Sequence, residues 1–235
     1  MRKEGRMIDR KFLAVVFVLL MAVAVSQAQD QQQKAAAGAK AKSGKTTTDK
    51  GPTLDETMNW LKQTLAAEGA GYEIYTESGT GFAGRDNYSM ATSIQNFEGC
   101  NITLQQVYKI NSHVDIANGP TTDHGFVQNY VIKLNFADLD PSSIHARQKP
   151  PMTGSAENTW VRVSAPTILL ELKASNDAKK IAYSTTATQD NVTGPKSEST
   201  ASSLTIWLAN EELAGKVSKA LSRAISLCGG KASLF

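Results

Sequence analysis

The sequence predicts an α+β domain, mainly antiparallel β, with one helix at its start and a stronger one at its end. Two patterns predict it. Apolar residues recur at helical spacing over 53–68 and 210–228, and between those stretches they alternate with polar residues at period two. Ser175-Asn176-Asp177-Ala178 reads as a hairpin turn joining two of the alternating runs, and Asp138-Leu139-Asp140-Pro141 as another turn.

Ahead of the domain, residues 1–28 read as a cleavable secretory signal peptide. Arg2, Lys3, Arg6, Arg10 and Lys11 outweigh Glu4 and Asp9 in a positive leader, and 12–25 then runs without charge, glycine or proline. Ser26-Gln27-Ala28 places small residues where a signal peptidase reads. The alternative is an uncleaved anchor. A helix over 12–25 would span roughly 21 Å, short of a hydrocarbon core of about 30 Å. The expectation is therefore an exported chain, periplasmic or secreted, with no stable membrane anchor after cleavage.

Removing the leader changes the charge argument. The chain holds 25 basic and 22 acidic residues; subtracting five and two leaves 20 against 20. The formal +3 thus belongs to the leader, and nucleic acid is not an expected partner.

Residues 29–52 contain no aromatic and no branched aliphatic residue. Such a segment cannot bury enough apolar surface to offset its ordering entropy and reads as a disordered Gln/Ala/Lys-rich linker. Its five lysines leave open a weak arm for an anionic envelope polymer. Residues 53–235 are expected to form a single globular domain.

That domain opens on Thr53-Leu54-Asp55-Glu56, which matches a capping box, followed by Leu54, Met58, Leu61 and Leu65 on one stripe. Gly69 to Gly71 ends the helix. Alternation marks strands at Ile102–Leu104, Tyr130–Phe136, Ile168–Leu172 and Leu204–Leu208, with weaker ones near 72–76, 88–96, 142–148, 159–165 and 180–186. Polar loops are expected at about 115–126, 149–158 and 187–201. Asn210 then caps the closing helix, Glu211 and Glu212 occupy its first turn, and Leu213, Val217, Leu221, Ala224 and Cys228 form its stripe up to Gly229-Gly230.

Antiparallel strands followed by one amphipathic C-terminal helix resemble, over roughly 72–230, the pleckstrin-homology-like superfamily. That resemblance implies a bent barrel of about seven strands closed by the helix, with 53–68 as an extra N-terminal helix. A helix-grip fold, in which the last helix crosses a curved sheet around an apolar cavity, is the alternative. The runs TLDETMNWL, DLDPSSI and RAISLCGG are also similar to an uncharacterised family of exported bacterial proteins, which implies no activity.

The two cysteines, Cys100 and Cys228, belong to a chain bound for an oxidising space, and a disulfide between them is the natural hypothesis. Two buried thiols acting as small hydrophobes are the alternative. Without CxxC spacing, a redox-active pair is not expected.

Gly79-Thr80-Gly81-Phe82-Ala83-Gly84 matches GxGxxG, but no amphipathic helix follows it, so a glycine turn accounts for it better than a nucleotide site. His113, His124 and His145, with Asp115 or Asp123, fit no zinc spacing. Asp138 and Asp140 suit an Asp-Pro turn better than a glycosidase pair. No GxSxG or SxxK is present. Trp60, Trp160 and Trp207 read as core residues, Trp160 being the one placed to meet a ligand or partner. Asn87, Asn101 and Asn191 begin N-glycosylation sequons.

These readings name no catalytic, cofactor-binding or metal residue. The leading expectation is a non-enzymatic binding module of the cell envelope, its partner a protein or envelope component. A carrier of an apolar small molecule and a hydrolase with a spatially assembled site stand as alternatives.

Overall fold

A computed structural model describes residues 51–154 and 158–230. The signal peptide expected at 1–28 and all of the linker except Gly51 and Pro52 lie outside the described residues. The first helix, α1 (Leu54–Glu68), begins where the capping box places it: the Glu56 backbone N–H donates to Thr53 Oγ1, and the Thr53 backbone N–H donates to Glu56 Oε2 at 2.8 Å. Met58, Leu61 and Leu65 are buried on its inner stripe.

Four long antiparallel strands follow or flank it: β1 (Ala70–Gly79), β2 (Phe82–Glu98), β3 (Asn101–Ile116) and β4 (Thr122–Asn135). After two short 3-10 turns come β5 (His145–Gln148), β6 (Asn158–Arg162) and β7 (Ile168–Lys173). The chain ends on β8 (Ile181–Gln189), β9 (Val192–Thr193), β10 (Ser197–Ala201), β11 (Ser203–Leu208) and α2 (Glu211–Leu227).

The large sheet has the order β10-β8-β4-β3-β2-β1-β6, with β9 paired to β8; the small one has the order β11-β7-β5. Every pairing is antiparallel. The expected α+β class with a helix at each end is therefore observed. The bent barrel of about seven strands is not: the described strands form two sheets, and the larger ends on β10 and β6 without closing. One face of that sheet is covered by the small sheet and the helices, so burial does not require closure.

The core lies at one end of the large sheet. Ile94, Leu104 and Ile132 stand in register across β2, β3 and β4 and pack with Leu170, Leu172, Leu204 and Ile206 of the small sheet. Leu213, Val217, Leu221 and Ala224 of α2 complete the cluster. At roughly 25 cal/mol per Å² of apolar surface removed from water, this cluster dominates the stabilisation. Buried Gln106 joins the sheets, its amide donating to Thr92 Oγ1 at 3.1 Å and to Thr205 O at 2.7 Å. Gly71 permits the close approach of β1 to β11, since a Cβ there would stand 2.9 Å from Trp207 Cβ.

A bond between Cys100, in the β2–β3 turn, and Cys228, the C-cap of α2, fixes the last helix to the sheet. The Arg223 guanidinium on α2 donates to Pro52 O at 3.1 Å, tying α2 to the residue just ahead of α1.

The GxGxxG match is a glycine turn as expected: it makes the β1–β2 hairpin, closed by the Gly79–Phe82 pair, with Gly81 at φ +82° where a side chain would be strained. Other expectations change. Ser175–Ala178 does not form a hairpin, because β7 and β8 belong to different sheets. Much of 187–201, expected as loop, is strand; its Ser/Glu/Thr composition pairs through backbone alone and gives no apolar alternation. Trp60 is 39% exposed rather than core, because it lies off the Met58/Leu61/Leu65 stripe.

Candidate functional site

Strands β2, β3 and β4 are 17, 16 and 14 residues long, against a usual five or six, about 17–20 Å. The core occupies only one end of them. The remainder projects, and alternation decides what it presents. On the face continuous with the core, successive rows across β1, β2, β3 and β4 read Gly71–Met90–Tyr108–Gln128, Glu73–Tyr88–Ile110–Phe126 and Tyr75–Asp86–Ser112–His124. Tyr108, Phe126 and Tyr88 are half-buried there, and Tyr108 packs edge-on against both Phe126 and Trp207.

Where the small sheet ends, a charged network is buried against this face. Glu73 is fully buried; its Oε2 accepts from Lys149 Nζ at 2.5 Å and from the Tyr75 hydroxyl at 2.9 Å. Its Oε1 faces an Arg162 guanidinium nitrogen at 3.2 Å and accepts from the Thr167 backbone N–H at 3.3 Å. Arg162 also donates to Tyr75 Oη and Lys149 O. Lys149 lies over the Trp207 ring, 5.1 Å from its centroid. One carboxylate thus compensates two cations, and two aromatic rings shield the group from water, which strengthens each pairing. Trp160 on β6 stands edge-on to Tyr75 at 6.2 Å, within this network rather than on a free loop.

At the projecting end a concavity of about 690 Å³ opens to solvent. Asn87, Asn111, Ser112, Thr188 and Asn191 line it, together with His113, His124, Asp123 and Asp190. His113 Nδ1 meets Asp123 Oδ1 at 2.7 Å, directly across the β3–β4 pair, and this bond raises the imidazole pKa. Asp190 accepts from the Gly125 backbone N–H at 3.1 Å and faces His124 Nδ1 at 3.4 Å; the backbone bond first, then the histidine, holds its pKa below the usual carboxylate range. In both pairs the carboxylate meets Nδ1. The concavity is a hydrogen-bonding surface of amides, hydroxyls and oriented imidazoles.

The histidines considered from sequence are divided by the fold. His113 and His124 reach the concavity, whereas His145 sits on the small sheet, 3.1 Å from Glu171. Asp115 lies 3.7 Å from His113 Nε2 and accepts from Thr121. Among the described residues no group of three or more His, Cys, Asp or Glu is arranged to hold a metal. Asp138 pairs with Lys180 and Asp140 accepts from the Ser142 N–H and hydroxyl, so both serve their turns. Cys100 and Cys228 are bonded to one another. Asn87, Asn101 and Asn191 are exposed.

Sequence reasoning passed over Glu73, Lys149 and Arg162, which come together from β1, the loop after β5 and β6. The one available signal was a glutamate at an inward position of an alternating strand. Comparison with known proteins adds no relative: no family model, no curated protein and no solved structure matches the chain. No helix among the described residues is long and apolar enough to cross a membrane, and the disulfide is compatible with an exported chain.

Proposed function

We propose that this chain is an exported, non-enzymatic binding module of the bacterial cell envelope, and that its working surface is the projecting end of the large sheet. The observation that supports this reading is the overshoot of β2, β3 and β4 beyond the core they help to build. Long strands that carry half-buried rings past the core are a liability to a fold that gains nothing from them. A surface for a partner gives them a use. The lining of amides and hydroxyls suits a hydrogen-bonding ligand such as a polar segment of an envelope protein. Element order supports the likeness to pleckstrin-homology-like or helix-grip proteins, while the open sheet counts against a bent barrel. The carrier reading has no comparable support, since the stripe of α2 is packed into the core cluster.

The test is co-sedimentation of purified protein with native envelope fractions. Wild type should pellet with the envelope, and Asn111→Arg with Thr188→Arg should remain in the supernatant while keeping the wild-type circular dichroism. Wild type left in the supernatant, or a double variant that pellets equally well, would refute the surface. Export is tested separately: intact mass of the protein from its native fraction should correspond to a chain beginning at Gln29.

A further inference from the structure

We propose that the concavity at the projecting end binds an uncharged glycan, laid across the strands on the outer face of the large sheet with a sugar ring stacked on Tyr72. The proposal rests on the projecting end being the working surface, and narrows the ligand there to one chemical class.

Register brings the site together. On the face turned away from the small sheet, adjacent rows across β2, β3 and β4 read Arg85–His113–Asp123, Asn87–Asn111–Gly125 and Ser89–Lys109–Val127. Thr188 of β8 extends the third row. The turn after β8 closes the second, the Asp190 backbone N–H donating to Gly125 O at 3.0 Å. Asp190 and Asn191 have φ of +47° and +68°, the left-handed pair of a two-residue hairpin turn, so backbone geometry sets this wall. In the other direction β1 adds Ile74 to the second row and Tyr72 to the third. Tyr72 is thus a diagonal neighbour of Asn87, a separation that an aromatic side chain spans. It is 60% exposed.

Folding makes no use of these groups. The side-chain amides of Asn87, Asn111 and Asn191 have no partner among the described residues, and all three line the concavity. Each amide both donates and accepts, as does every hydroxyl of a sugar. A sugar also carries a C–H face, which the negative face of an exposed aromatic ring attracts. The volume of about 690 Å³ lies within the range of ligand clefts.

Other ligand classes fit less well. Among the described residues of the lining Val127 is the one large apolar side chain, too little for an apolar molecule. Arg85 and Lys109, beside the concavity, stand against Asp115, Asp123 and Asp190, so no net positive field draws an anionic polymer. An extended peptide adds to a sheet at its edge, whereas β2, β3 and β4 are paired on both sides and leave only side chains for recognition.

The experiment titrates the purified full chain calorimetrically with maltohexaose and with chitohexaose, and with hexagalacturonate as the charged counterpart. Expected is saturable binding of at least one neutral oligomer, tighter than that of the galacturonate. Tyr72→Ala and Asn111→Leu should each weaken it about tenfold, the loss of one stacked ring or of one hydrogen-bonding group. Both side chains are exposed, so the melting temperature should not move. No saturable binding of either neutral oligomer, tighter binding of the galacturonate, or unchanged binding by either variant overturns the proposal. Wild type that pellets with native envelope but not with envelope digested beforehand by protease marks a protein partner. That result overturns the glycan and leaves the projecting end standing as the working surface.

Discussion

Lys149 and Glu73 are 76 residues apart in sequence and 2.5 Å apart in space, and the contact is closed beneath Tyr75 and Trp207. The pair ties the loop after β5 to the second residue pair of β1. Glu73→Gln leaves Lys149 and Arg162 in low-dielectric surroundings with no carboxylate. We expect a loss of about 3–5 kcal/mol, the usual consequence of removing one member of a buried ion group. Lys149→Met should cost less than half of that, since Arg162 still meets Glu73 and the stem still covers Trp207. Urea unfolding of the three proteins measures the order; equal losses would contradict this account.

The Cys100–Cys228 bond closes a separation of 128 residues. Constraining the unfolded chain over that span contributes roughly 4–5 kcal/mol in the chain-entropy model and about 2–4 in practice. Replacing both cysteines by serine should lower the denaturant midpoint accordingly. Alkylation of unreduced protein from its native compartment should add no mass.

His113 provides a pH test. Its imidazole pKa is raised above 6.5, chiefly by the hydrogen bond to Asp123. A group whose folded pKa exceeds its unfolded value stabilises fully below the unfolded pKa, and that contribution disappears as pH rises through the folded one. The His113–Asp123 pair therefore supports the β3–β4 hairpin in mild acid and ceases to do so above the raised pKa. NMR titration should place the His113 midpoint above that of the Asp123→Asn variant.

At the start of the domain, Thr53→Ala removes the side-chain cap of α1 and should destabilise by about 1 kcal/mol. The Glu56 pKa is held down first by the Thr53 backbone N–H, which the variant keeps, and then by the Thr53 hydroxyl, which it loses; the hydroxyl's share disappears as pH falls through the lowered value. The difference between wild type and Thr53→Ala should narrow in acid.

Gly71→Ala tests how closely β1 lies on β11. The added methyl would meet Thr167 Cγ2 and, at 2.9 Å, Trp207 Cβ. Overpacking of this kind costs about 1–3 kcal/mol, read as a lower melting temperature.

Helices were legible because their signals are local. Thr53, Asn210 and the stripes of α1 and α2 act within a few residues of themselves, and the structure places each as expected. Strand identity was legible at Ile102, Ile132, Ile168 and Ile206, where alternation faces a core. It failed at 197–201, where only the backbone of β10 is used. The disulfide was open to inference from compartment and parity. The buried network was not. Glu73, Lys149 and Arg162 meet through sheet order and one loop, and no spacing along the chain encodes that meeting. The row through Asn87 and Asn111 was hidden in the same way, its meaning set by the face on which register places it.

The Arg223–Pro52 bond means that the chain enters and leaves the described domain along one helix pair. Tension applied between those two points would peel α1, β1 and β2 and then arrive at Cys100, where the sulfur bridge passes the load directly to Cys228. The strands from β3 to β11 lie off that path. With some 50 residues able to straighten at about 3.4 Å each, Pro52 and Cys100 could part to roughly 170 Å and no further. In a domain pulled at both ends, that is a covalent limit on stretch, set by one bond.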